Sequence, residues 1–78
     1  MKTYTLETTY MLSEYYVGII TGIILSIAGN CTAYRMSGYE LQFNSHNMFE
    51  FTADEETRKK VKETIDDHFN DPYMITEN

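Results

Sequence analysis

The fold is decided by residues 12–30, which read LSEYYVGIITGIILSIAGN. Apolar and aromatic side chains recur there at the i, i+3, i+4 and i+7 positions that line one side of a helix. The stripe consists of Leu12, Tyr15, Tyr16, Ile19, Ile20, Ile23, Ile24 and Ile27. Ser13 is a typical N-cap residue, and Gly29 with Asn30 supplies the left-handed residue that ends a helix. These signals predict one amphipathic helix between Ser13 and Gly29.

Two alternatives remain open for this stretch. Five isoleucines, a valine and two internal glycines weaken a helix, so the first alternative is a hairpin that turns at residues 21–22. The second is a membrane span over residues 15–34, because no charge lies between Glu14 and Arg35. The apolar block itself covers residues 17–28, whereas a span needs about 20 apolar residues. We therefore expect a buried helix and no membrane association.

The sequence on either side of this helix alternates with period two, which is typical of strands. Strands are predicted at residues 2–10, 31–36, 39–44 and 48–52. Ser37-Gly38 is a two-residue link of the kind that joins hairpin strands. Phe49 and Phe51 share one face of the last of these strands, and we expect them in the core.

A second helix follows, with Thr52 or Asp54 as its cap and Val61, Ile65 and Phe69 as its apolar stripe. Residues 73–76 are either a short C-terminal strand or a tail. The expected fold is α+β, with one antiparallel sheet in the order β-α-β-β-β-α plus the optional C-terminal strand. Both helices are expected on one face of that sheet.

Length and composition bound the organisation of the chain. With 78 residues it forms a single small domain, residues 1–78, and one cysteine excludes an internal disulfide framework. Twelve acidic against six basic side chains give a formal charge of -6. That charge disfavours direct nucleic-acid binding and favours a partner with a basic surface. We also expect a cytoplasmic protein, with a homo-oligomer as an open alternative because so small a core has a thin margin of stability.

The acidic second half supplies the first candidate partner-binding group. Glu63, Asp66, Asp67 and Asp71 form an acidic end that can dock on a basic groove by imitating phosphates. Asp66 and Asp67 lie near a helix C-terminus, where the helix dipole prefers cations, and a placement that costs stability points to use. The alternative is a solvated helix face with weak ion pairs to neighbouring lysines.

The uncovered face of the sheet supplies the second candidate group, which consists of Tyr34, Met36, Glu40 and Glu50. Aromatic, methionine and acidic side chains together suit contact with a protein, although an ordinary exposed sheet face is an equal alternative. Tyr15, Tyr16 and Tyr39 are instead expected in the core.

Motifs for catalysis or metal binding are absent from the sequence. His46 and His68 are far apart, and no spacing typical of a metal site includes Cys31. A helix C-terminus before Cys31 is expected to raise the pKa of its thiol. Gly18 and Gly22 have a spacing that allows close packing against the sheet or a second copy. We expect neither an enzyme nor a cofactor.

The sequence therefore predicts a non-enzymatic protein-binding module. In size, acidity and lack of catalytic motifs it resembles the small inhibitors that bacteriophages deploy against host defence or transcription. That resemblance implies an inhibitor that blocks a basic, nucleic-acid-binding surface of a host protein. The alternative is a homo-oligomer that sequesters a small molecule or nucleotide between subunits, held by Arg35 or the basic run at residues 58–62.

Overall fold

A computed structural model describes residues 1–36 and 45–78 of the chain. The described residues form two helices and four strands of one antiparallel sheet, which confirms the α+β class. In chain order the elements are β1 (Lys2–Thr8), α1 (Glu14–Ala28), β2 (Thr32–Met36), β3 (His46–Ala53), α2 (Glu55–His68) and β4 (Tyr73–Glu77).

The strand order across the sheet is β2-β3-β1-β4, and every neighbouring pair is antiparallel. Leu6 of β1 lies opposite Phe49 of β3 on one side and Ile75 of β4 on the other. This connectivity is that of the ferredoxin-like, or split β-α-β, motif, which carries many unrelated functions. The fold alone therefore assigns no activity.

The core lies between one face of the sheet and both helices, as the sequence predicts. Paired residues of antiparallel strands share a face, so Leu6, Phe49 and Phe51 point to the same side. Ile20 and Ile24 of α1 are fully buried against that side, and Val61 and Ile65 of α2 are too. The opposite side of the sheet, here called the open face, has no helix over it among the described residues.

Helix α1 confirms the helical prediction but corrects part of its apolar stripe. Gly29 ends the helix with φ 81°, and its N–H donates to the Leu25 carbonyl. Tyr15 was expected in the core, yet 71% of its surface is exposed. Tyr15 precedes the buried Ile20 by five residues. At about 100° per residue this separation places the two side chains roughly 140° apart around the helix, so Tyr15 points away from the core. The eight-residue stripe is thus wider than the side of α1 that the core covers.

The two glycines of α1 do not pack against the sheet, which was one of the two predicted uses. Gly18 and Gly22 are exposed, and a Cβ on either would meet nothing within 4 Å among the described residues. Glycine inside a helix costs about 1 kcal/mol relative to alanine. Contacts within the described part of the chain do not explain why these two positions are glycine rather than alanine.

The bounds of the predicted strands change, and the second strand begins at Thr32 instead of residue 31. The first strand ends at Thr8, and the fourth predicted strand extends to His46–Ala53 as β3. Residues 73–76 are part of a true strand, β4, which pairs with β1. The strand predicted at residues 39–44, with Tyr39 in the core, lies outside the described residues. Within the described ranges, β2 pairs with β3 directly.

The structure also tests the predicted N-cap residues of both helices. Asp54 rather than Thr52 caps α2, and its carboxylate accepts a hydrogen bond from the Thr57 N–H at 2.7 Å. Ser13 occupies the N-cap position of α1, but its side chain makes no capping hydrogen bond.

A buried polar cluster joins β1, β3 and the start of α1. The Asn47 side-chain oxygen accepts a hydrogen bond from the Leu12 N–H at 2.7 Å. The Asn47 N–H donates to the Thr8 hydroxyl oxygen at 3.0 Å, and that hydroxyl donates to the Tyr10 carbonyl at 2.8 Å. Thr8 and Asn47 are both buried, so water cannot replace a hydrogen bond that is lost here. Each lost hydrogen bond therefore leaves a buried polar group without a partner.

We predict that Asn47→Ala lowers the free energy of unfolding by about 1–3 kcal/mol, because the buried Leu12 N–H loses its acceptor. Urea denaturation followed by circular dichroism measures the loss. Asn70→Ala is the matched control, since Asn70 is exposed and a surface change of this kind stays within about 0.5 kcal/mol. Equal losses in the two variants would contradict the role given to the cluster.

Candidate functional site

The structure separates the two predicted groups of partner-binding residues. Tyr34, Met36 and Glu50 lie on the open face of the sheet, and Glu40 lies outside the described residues. The residues of the acidic group lie on the helical side, where Glu63, Asp66 and Asp67 are exposed on α2 and Asp71 follows that helix. The sheet and helix layers therefore stand between the two groups.

The end of α2 meets the start of α1, because the two helices run antiparallel over the sheet. The ring centroids of Tyr16 and Phe69 are 5.6 Å apart, and those of Phe69 and Tyr73 are 6.1 Å apart. Phe69 is buried and so forms the floor of this row. The row brings the first turn of α1, the last turn of α2 and the first residue of β4 together.

Asp66 is held in place at this end by two partners. It accepts a hydrogen bond from the Tyr73 hydroxyl and forms an ion pair with Lys62 at 2.8 Å. The Lys62 ammonium, and then the Tyr73 hydroxyl, lower the pKa of Asp66. Burial and the neighbouring Asp66 carboxylate raise the pKa of Tyr73. Asp66 is thus a fixed anion beside a fixed phenol at neutral pH.

Asp71 repeats this pairing of a carboxylate with a phenol. It accepts a hydrogen bond from the Tyr10 hydroxyl, which raises the pKa of Tyr10. Tyr10 is 43% exposed and Tyr16 is 38% exposed, so both rings remain open to a partner. We call the set formed by Tyr10, Tyr16, Asp66, Asp71 and Tyr73 the tyrosine–aspartate end.

Sequence reasoning missed the tyrosines of this set. Tyr16 was assigned to the core, and Tyr10 and Tyr73 received no role. Tyr73 follows Asp66 by seven residues across the turn at residues 70–72, so the contact requires β4 to return beside α2. The contact between Tyr73 and Asp66 could have been predicted only if residues 73–76 had been assigned to a strand.

Two further carboxylates extend this end along α2. Glu63 and Asp67 are exposed and four residues apart, which places them on the same side of the helix. With Asp66 and Asp71 they make the four acids predicted from the sequence. All four lie in the second half of α2 or directly after it.

The open face presents a different chemistry. One row across the four strands is Tyr34, Met48, Glu7 and Met74, in that order. Met74 is 60% exposed, and the sequence analysis had not included it. The Glu7 Oε2 lies 3.0 Å from the His46 Nε2. This surface mixes tyrosine and methionine side chains with Glu7 and Glu50 of the two middle strands, and it is distinct from the tyrosine–aspartate end.

Within the described residues, no group of three or more His, Cys, Asp or Glu side chains could hold a metal ion. Burial raises the pKa of the half-buried Cys31 thiol, in the expected direction but for a different reason from the helix dipole. The His68 Nδ1–H donates to the Thr64 carbonyl at 2.9 Å. None of the described helices has the length and apolarity that a membrane span requires.

A shallow cavity of about 250 Å³ lies between the start of α1 and β2. Its lining includes Glu14, Val17, Tyr34 and Arg35. Ligand sites usually enclose about 300–1,000 Å³, so this space suits a small polar group better than a nucleotide.

Comparison of the sequence with protein-family models and with curated proteins finds no match. The case for function therefore depends on the surfaces described above.

We predict that Asp66→Asn lowers the free energy of unfolding at neutral pH by less than about 1 kcal/mol, because Asp66 is half exposed and the pair is screened by water. The pKa of Asp66 is lower in the folded state than in the unfolded state. Its stabilisation is therefore present above the unfolded pKa of about 3.9 and is lost as the pH falls through the folded pKa.

Urea denaturation at about pH 7 and about pH 3 measures this difference between wild type and variant. The difference between the two proteins should be smaller at the lower pH than at the higher one. Asp67→Asn, on the neighbouring exposed position, is the control and should show a smaller difference than Asp66→Asn at the higher pH. A difference for Asp66→Asn that persists unchanged in acid would contradict the ion pair as its source.

Proposed function

We propose that this chain is a non-enzymatic protein-binding module that docks its tyrosine–aspartate end on a basic surface of a partner protein. The supporting observation is the pairing of fixed carboxylates with exposed phenol rings where α1 and α2 meet. A partner surface rich in arginine and lysine is complementary to both the carboxylates and the phenol rings. Such a surface is also what nucleic-acid-binding proteins present, so the module would act as an inhibitor that competes with nucleic acid.

Each part of this end has a separate physical task in the proposal. Glu63 and Asp67, with the formal charge of -6 on the chain, attract a basic partner over a distance and raise the rate of encounter. Tyr10 and Tyr16 provide rings on which arginine side chains can stack. Tyrosine also buries a large area at low entropy cost, which is why it is frequent at binding hot spots.

Preorganisation supports the same assignment. Asp66 is already oriented by Lys62 and Tyr73, so docking would fix few additional rotamers. The carboxylate keeps a free side for a partner, because its residue is exposed. An arginine from the partner could replace Lys62 and form a bidentate contact, which a lysine cannot make.

A second candidate function, sequestration of a small molecule by a homo-oligomer, has one observation in its favour. Arg35 lines the cavity beside α1, so a cation borders this space. A small anion bound with a closed oligomer would favour this candidate over protein docking.

The test of the first proposal begins with capture of proteins from the native host by the immobilised chain at low and at high salt. Captured proteins are identified by mass spectrometry, and their nucleic-acid binding is measured with and without the module. We expect a basic protein that is released by high salt and that loses nucleic-acid binding when the module is added. A partner that binds equally well at both salt concentrations would contradict the proposal.

Association kinetics with that partner then locate the surface. Glu63→Gln with Asp67→Asn should slow association several-fold and flatten its salt dependence, because two steering charges are removed. Glu55→Gln with Glu56→Gln is the matched control, since it removes the same charge from the other end of α2. Equal effects from both pairs would mean that net charge alone matters.

Tyrosine variants distinguish the two candidate surfaces. Tyr10→Ala should accelerate dissociation from the partner, whereas Tyr34→Ala on the open face should leave it unchanged. The reverse result would move the docking site to the open face of the sheet.

A further inference from the structure

Helix α1 carries one charged residue, Glu14, in 15 positions. Its side away from the core, here called the α1 outer face, has no charged side chain over residues 15–26. That face consists of Tyr15, Gly18, Ile19, Gly22, Leu25 and Ser26. Tyr15 is 71% exposed and Leu25 is 47% exposed, so large apolar groups meet solvent there. Large apolar groups exposed together on one side of an element often mark a contact with another molecule.

The described residues of one copy do not enclose this helix. Ile20 and Ile24 are fully buried, but the described residues place nothing over Gly18 or Gly22. A position across a lipid bilayer does not fit, because 15 residues reach about 22 Å and the hydrocarbon core is about 30 Å thick. Something outside the described residues is needed to cover the face.

We infer that a second copy of this chain covers the α1 outer face, with the two α1 helices antiparallel across a two-fold axis opposite Ile20. The self-matching spacing about Ile20 selects this occupant, and charge is compatible with it. A second copy also carries -6, so two copies repel each other least where they meet through an uncharged surface such as residues 15–26 of α1. A basic partner would gain nothing from such a face. The inference goes beyond partner docking and involves different residues.

The spacing along the face is self-complementary about Ile20. Gly18 and Gly22 lie two positions on either side of Ile20, and Tyr15 and Leu25 lie five positions on either side. In an antiparallel pair centred there, Gly18 of one copy faces Gly22 of the other. Tyr15 of each copy then packs beside Leu25 of its partner. A two-fold interface requires this kind of self-matching patch.

This arrangement also accounts for the glycines. A Cβ at either position would meet nothing within 4 Å in the described chain, so the fold of one copy does not require glycine there. Two helices that cross at small residues approach more closely and gain packing contacts. The glycines then serve the contact between copies.

The expected dimer is weak, because one helix face buries far less than the roughly 800 Å² per partner of a standard interface. Sedimentation equilibrium over a range from low micromolar to millimolar protein measures it. We expect a reversible monomer–dimer equilibrium within that range. A single species of 9.1 kDa at every concentration would overturn the inference.

A substitution at the crossing point tests the surface. Gly22→Gln should fold, since the site is open in one copy and glutamine favours helix more than glycine does. It should weaken dimerisation by at least about tenfold, because the longer side chain holds the helices apart. Asn70→Gln, at an exposed position after α2, is the control and should leave the equilibrium unchanged. Unchanged dimerisation in Gly22→Gln would overturn the inference.

Disulfide cross-linking tests the antiparallel geometry. Tyr15→Cys and Leu25→Cys are made separately in a Cys31→Ser background, mixed and oxidised. The mixture should give a covalent dimer of the two variants. Each variant alone should not, because equivalent positions lie about 15 Å apart along the helix and a disulfide needs Cα atoms within about 7 Å. Cross-linking of each variant alone as efficiently as in the mixture would overturn the antiparallel pairing.

Discussion

Burial of Leu6 and Phe49 at the centre of the sheet is the constraint on which the rest of the molecule depends. The two residues lie opposite each other on the middle strands, β1 and β3, and both are fully buried. Their common side determines which face of every strand belongs to the core. Both helices must then cover that side, so the open face and the outer sides of the helices are what remains for other molecules.

The same constraint brings the acidic residues to the tyrosines. Two antiparallel helices on one face place the last turn of α2 beside the first turn of α1, where Phe69 packs against Tyr16. Carboxylates near a helix C-terminus are unfavourable, because the helix dipole is negative there. Lys62 and the Tyr73 hydroxyl stabilise the charged form of Asp66 against this unfavourable dipole, and they therefore lower its pKa. The placement is therefore stabilised by partners from two elements, not by α2 alone.

The sequence predicted what depends on local pattern and missed what depends on contacts between distant elements. Helix α1, its end at Gly29 and the buried pair Phe49 and Phe51 follow from periodicity and from the conformational freedom of glycine. The exposure of Tyr15 could not be predicted, because it depends on which part of a wide apolar stripe α2 and the sheet cover. The hydrogen bond between Tyr73 and Asp66 depends on strand β4, and the sequence alone did not distinguish a strand from a tail at residues 73–76.

Antiparallel pairing of α1 would also decide how the two proposed surfaces work together. Tyr16, in the first turn of α1, belongs to the tyrosine–aspartate end. A parallel dimer would set two such ends side by side, with repulsion between their carboxylates. An antiparallel dimer directs them away from each other, which removes that repulsion. It would then bind two partner molecules, or two sites on a symmetric partner, and in the second case avidity could compensate for modest affinity at each end.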